Sequence, residues 1–206
     1  MKARKILVSL AALALVAAIS IGGTLAYLTS TDKVENTFTV GKVAITLDEA
    51  AVDTNGAPLT GTARRDNNSY KLMPGHEYTK DPTVHIAADS ENSYIFVKVE
   101  NGISAFEATT DTAEDGYKQI ADQITAKGWT ALNGVAGVYY KEYTSQNTVK
   151  NETVFGNFKI ADNAQSIAGW GTAANAKIIV TAYAIQKDGM NDAADAWSKL
   201  TTQLSA

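Results

Sequence analysis

Ser93-Tyr-Ile-Phe-Val-Lys-Val-Glu100 alternates with a period of two, with Ile95, Val97 and Val99 on one face and Tyr94, Phe96 and Lys98 on the other. Successive strand side chains point to opposite faces, so aliphatic and aromatic residues on both sides predict an inner strand covered twice. Ala176 to Gln186 is the most strand-like run of the chain, with Ile178, Val180, Ala182 and Ala184 on one side and Ile179, Thr181, Tyr183 and Ile185 on the other. Working outward, Thr37 to Leu47 reads as a half-buried strand, because Val43, Ile45 and Leu47 oppose Lys42, Ala44, Thr46 and Asp48. Further strands are predicted at Glu77 to Lys80, Thr83 to Ala87, Gly137 to Thr144 and Thr153 to Ile160. The last two are joined by a polar connection and predict a hairpin. Asp53 to Ser69, rich in Asp, Asn and Gly, is read as a surface loop.

Two segments change period. Tyr117, Ile120, Ala121 and Ile124 predict a helix within Thr112 to Lys127, stopped by Gly128. Ala193, Trp197, Leu200 and Leu204 predict another over Asp192 to Leu204, capped by Asn191 or Asp192. With about seven or eight strands, two short helices and no regular strand–helix alternation, the fold class is mainly β. The pattern suits an antiparallel two-sheet sandwich, jelly-roll-like, rather than a parallel α/β sheet.

The chain has 206 residues, a net charge of -4 and no cysteine. Disulfides and thiolate metal sites are therefore excluded, and the acidic balance argues against nucleic-acid binding. Charge is unevenly placed. Met1 to Lys5 is basic, Ile6 to Ile21 is an uncharged apolar run, and Gly22-Gly23-Thr24-Leu25-Ala26 ends in small residues. These are the three regions of a secretory signal helix, with Thr24 and Ala26 at the small-residue positions and the cut before Tyr27. A retained membrane anchor is the alternative reading, since Ile6 to Leu28 is long enough to span a bilayer. Cleavage removes three basic and no acidic side chains, moving the net charge to -7. The organisation read is residues 1–26 as signal peptide, 27–36 as a flexible arm and 37–206 as one domain. Membrane contact is expected only through the uncleaved signal.

Gly22 to Thr24, Ala26, the polar stretch Thr31 to Asn36 and Phe38, followed by a strand, together resemble the N-terminus of the TasA-like and camelysin-like secreted proteins. KLMPGHEYTKDPTVHI and AYAIQKDGMNDAADAWSKL are also similar to segments common in that broad set. The resemblance implies a precursor cut by a SipW-type signal peptidase, a jelly-roll core, and a role in the extracellular matrix, biofilm or cell surface of a Gram-positive bacterium. Camelysin-like relatives imply a metallopeptidase instead.

The residues offer little for catalysis. Only His76 and His85 exist, and no HExxH follows the His76-Glu77 pair. A two-histidine metal site with Glu77 or Asp81 is the candidate that remains; no cofactor is expected. GxSxG and a phosphate-binding loop are both missing, and Gly169-Trp170-Gly171-Thr172 reads as a loop with an aromatic plug. Carboxylate pairs such as Asp48-Glu49 read as solvated turn residues or weak calcium ligands, and Asn67-Asn68-Ser69 matches a glycosylation acceptor triplet. Tyr139 and Tyr143 fall on one strand face and Tyr140 on the other, as packing residues would.

A freed arm attached to an alternating strand suits backbone pairing with the sheet edge of another copy. Head-to-tail pairing of this kind does not close and makes filaments. The TasA resemblance puts the donor-strand role on Phe38, Val40, Val43, Ile45 and Leu47. The sequence thus leads to a noncatalytic fibre subunit whose partners are copies of itself, and the SipW-type peptidase during export. A camelysin-like surface metallopeptidase and a monomeric module binding a glycan or a protein are the alternatives.

Overall fold

In the computed structural model, residues 42–109, 117–147 and 150–205 are described. The strands are β1 (Ile45–Asp48), β2 (Glu77–Thr79), β3 (Thr83–Ile86), β4 (Ser93–Asn101), β5 (Thr130–Ala131), β6 (Val138–Tyr143), β7 (Asn151–Thr153), β8 (Asn157–Lys159) and β9 (Ile178–Gln186). The helices are α1 (Ile120–Ala126), between β4 and β5, and α2 (Ala193–Leu204), after β9. The protein is mainly β, and every strand pair is antiparallel. The sheets run β1-β3-β7, β2-β8 and β5-β6-β4-β9.

Two of these sheets are parts of one ladder. Thr79 pairs with Asn157 and Thr83 with Thr153, four residues along each chain, so the register is kept across the gap. Lys80 N–H donates to the Gly156 carbonyl and Val154 N–H to the Pro82 carbonyl across the break. Pro82 has no N–H to give, and the adjacent Val154 and Phe155 are both fully buried, which a regular strand with one covered face does not allow. The ladder bends there instead.

β4 lies inside its sheet, between β6 and β9, and is covered on both faces. Ile95 and Val97 join a core with Val84, Ile86, Tyr143 and Phe158. Tyr94 and Phe96 join a second core with Val138, Ile185, Ala196 and Leu200, beneath α2. The Trp197 ring lies 5.2 Å from Phe96 and 5.6 Å from Tyr183. α2 starts where expected, and its Asp192 side chain accepts from Asp195 N–H at 2.8 Å as the N-cap.

Several elements differ from the sequence reading. Of the predicted helix, Thr112 to Gly116 lie outside the described residues, and α1 begins at Ile120. Tyr117, placed on the helix face by spacing, instead precedes α1 and donates to Glu107 Oε1 at 2.6 Å, while Ile120 N–H donates to the same oxygen at 2.7 Å. The buried Glu107 carboxylate thus satisfies the first turn of the helix. No hairpin forms between Gly137–Thr144 and Thr153–Ile160. β6 pairs with β4, while β7 and β8 pair with β3 and β2. Tyr139 and Tyr143 pack into one core and Val138 and Tyr140 into the other, so β6 needs a two-sided position beside β4. β1 begins at Ile45; Val43 precedes it, and Phe38 and Val40, like Thr24, Ala26 and Tyr27, lie outside the described residues.

Phe96 is fully buried between β4 and α2. Phe96→Ala is expected to cost about 3–5 kcal/mol, the range for removing a core aromatic. A urea titration followed by tryptophan fluorescence checks it, through a lower midpoint with an unchanged slope.

Candidate functional site

Metal-site candidates from the sequence are not brought together. His76 lies before β2, where Nε2 is 2.9 Å from the Asn55 carbonyl and the ring meets Tyr78 edge-on at 4.6 Å. His85 is in β3, beyond the bend at Pro82, and meets different partners. Glu77 accepts from the Asn157 side chain. Asp81 pairs with Arg64 at 2.8 Å. Among the described residues there is no group of three or more His, Cys, Asp or Glu side chains able to hold a metal.

His85 instead ties three strands together. Its Nε2 lies 2.8 Å from Asp48 Oδ1 on β1, and its Nδ1 lies 2.8 Å from Asn151 Oδ1 on β7. With oxygen facing both ring nitrogens, the imidazolium fits best. The hydrogen bond to Asp48, then that to Asn151, raises the His85 pKa above its ordinary 6.5. Burial works against the charge on Asp48, but bonds from Arg64 and His85 outweigh it and hold the carboxyl below its usual range. Arg64 reaches Asp48 Oδ1 at 2.5 Å, Asp81 Oδ2 at 2.8 Å and Thr83 Oγ1 at 3.1 Å. The expected surface loop is thereby pinned onto β1 and β3.

A second polar group sits one residue on. Glu49 is 4% exposed, so the Asp48-Glu49 pair is not the solvated turn read from the sequence. Lys80 Nζ donates to Glu49 Oε2, and Asn68 Nδ2 donates to Glu49 Oε1 at 3.0 Å and to the Ala50 carbonyl at 2.8 Å. Val52 N–H donates to Asn68 Oδ1 at 3.1 Å. Sequence reasoning missed this trio because Glu49, Asn68 and Lys80 are scattered over 31 positions. No local signal marked them, since Lys80 ends a predicted strand that already carries the exposed, charged Glu77.

Glu49, Asn68 and Lys80 line a cleft of about 1170 Å³, whose apolar walls include Leu47, Leu72, Phe158, Trp170 and Val180. Trp170, expected as an aromatic plug, also packs edge-on against Phe106 at 5.6 Å. The cleft runs along two sheet edges. Gly102 N–H donates to the Lys177 carbonyl and Lys187 N–H to the Asn92 carbonyl at the two ends of the β4–β9 ladder. By alternation, Ile178, Val180, Ala182 and Ala184 direct their backbone groups away from β4. Ala87 N–H donates to the Ala44 carbonyl, so Ile45 and Leu47 likewise turn theirs away from β3. Among the described residues no strand pairs with these outer edges of β1 and β9. Ile45 and Leu47, expected as donor residues, pair within their own chain opposite Ile86 and Val84.

No family model, curated protein or solved structure matches the chain. No described helix is long and apolar enough to cross a membrane.

Because the His85 pKa is raised on folding, its stabilising contribution is full below its ordinary 6.5 and is lost as pH rises through the folded value. His85 is expected to titrate above 6.5 by NMR of the ring carbons, and Asp48→Asn to bring that midpoint down. The urea midpoint is expected to fall between about pH 6 and about pH 8, and His85→Asn to flatten that fall.

Proposed function

We propose that the protein is a secreted, noncatalytic structural subunit of an extracellular fibre or biofilm matrix, assembling by addition of an N-terminal strand to a neighbouring copy. One observation carries the reading. The outer edges of β1 and β9, which no strand pairs among the described residues, meet at one cleft where Leu47, Ile178 and Val180 stand beside polar side chains of the loop. Paired edges and covered faces are what an isolated soluble domain normally keeps; open edges beside a partly apolar cleft suit an incoming strand.

Phe38 and Val40 alternate with Thr37 and Thr39, and Val43 follows. A strand over Phe38 and Val40 offers that apolar face to the cleft and its backbone to one of the two edges, while Val43 falls on the opposite face. In this reading Phe38, Val40 and Val43 are donated, while Ile45 and Leu47 stay in β1 and form part of the receiving rim. Addition of that strand completes a two-sheet sandwich of jelly-roll type. Because donor and receiver are different surfaces of one chain, the contact repeats head to tail and builds a filament. Removal of residues 1–26 by a SipW-type peptidase would free the donor from the membrane, making export the switch for assembly.

Electron microscopy of the chain beginning at Tyr27 tests this. Filaments are expected, and none from a chain that lacks residues 27–43. Ala182→Pro removes an outward-facing N–H on an edge strand, where proline is tolerated, and is expected to abolish filaments while the monomer stays folded. Filaments that survive both changes would sink the proposal.

A further inference from the structure

The Lys80–Glu49–Asn68 group has the parts of a chemical reaction within the chain. We propose that Lys80 Nζ and Asn68 Cγ become joined by an amide bond, formed once in the folded protein, with Glu49 carrying the protons.

Each part has a counterpart in the geometry. Lys80 is the nucleophile, an amine on a flexible stem whose side chain is only 11% exposed. Glu49, 5% exposed in its side chain, touches the amine with one carboxylate oxygen and the Asn68 amide nitrogen with the other. A single carboxylate thus holds nucleophile and leaving group side by side, the arrangement general acid–base catalysis requires. The orientation of the Asn68 carboxamide is fixed, since Nδ2 faces two acceptors and Oδ1 faces the Val52 N–H. That N–H is aimed where negative charge develops when Cγ is attacked.

The step balances without any co-reactant. A proton passes from Lys80 Nζ to Glu49, and the neutral amine forms a bond to Cγ. The oxyanion on Oδ1 is held by Val52 N–H. Glu49 returns a proton to Nδ2, the Cγ–Nδ2 bond breaks, and the nitrogen leaves with the remaining amine proton as ammonium. Glu49 ends as carboxylate, and nothing is oxidised or reduced. Charge also balances, because one ammonium is replaced by another. The reaction acts once, on its own chain, and is compatible with a protein that turns over no external substrate.

What it would supply is a covalent tie from the loop after β1 to the strand end before Pro82. This chain has no cysteine, so a disulfide cannot provide one. Like a disulfide, the amide would restrict the unfolded chain, and unlike one it is indifferent to reductants. It needs only the folded monomer and does not rest on the fibre reading.

Intact-mass spectrometry of the purified protein tests the proposal. The mass is expected to fall short of the sequence by one ammonia, with a branched peptide containing Asn68 and Lys80 after digestion and one fewer reactive amine in the denatured chain. Lys80→Arg, Asn68→Ala and Glu49→Gln are each expected to restore the full mass of their sequence. Asn68→Asp is expected to give the same cross-linked product by loss of water. Full sequence mass in folded wild-type protein, with a reactive Lys80 amine after denaturation, overturns the proposal. So does an ammonia deficit that persists in Lys80→Arg. The decisive reading is on wild-type protein, so a variant that fails to fold does not spoil it, and absence of filaments would count against assembly alone.

Discussion

Everything else in the described chain is arranged around a strand that must be covered twice. β4 presents Ile95 and Val97 to one side and Tyr94 and Phe96 to the other, and neither face tolerates water. One face recruits β3 through Val84 and Ile86 and β8 through Phe158, with Ile45 and Leu47 of β1 packed against them. The other recruits α2 through Ala196 and Leu200. β6 and β9 flank β4 because they too carry packing residues on both faces. Burying aromatics of this size is the largest favourable term available to a chain that has no covalent staple at cysteine.

Around that apolar frame, β1 is held by polar contacts. Asp48 engages Arg64 and His85, and Glu49 engages Lys80 and Asn68. Removing one member of such a group leaves its partner charged and poorly solvated, so these contacts fix where the loop from Asp53 to Ser69 runs. The same loop then walls the cleft. Its position therefore links the tether on β1, the chemistry proposed at Lys80 and Asn68, and the open edges that would receive a strand.

The proposed assembly would use the same strands that stabilise the fold. β1 and β9 are each satisfied on one side, by β3 and β4, and bare on the other among the described residues. Ile45 and Leu47 therefore face two demands, packing inward and offering backbone outward. A strand supplied by another copy, as proposed, would satisfy the second without disturbing the first.

Periodicity alone was enough for the strands β2, β3, β4, β6 and β9 and for α2, because each buries a regular stripe and local alternation encodes which side is covered. It also made β4 the inner strand. It was not enough for pairing: the constant register from β2–β8 into β3–β7 and the choice of β4 over β7 as partner for β6 depend on contacts between segments far apart in sequence. The candidate site followed the same rule. The two histidines were legible as scarce, but their separation was not, and Glu49 looked like a solvated turn until tertiary packing closed over it. Mainly β architecture and the absence of disulfides were determined by the sequence itself, since both follow from residue type and local order. Which carboxylate meets which amine, and which edges stay open, only the tertiary structure decided, because proximity in space is set by the packing of the whole core.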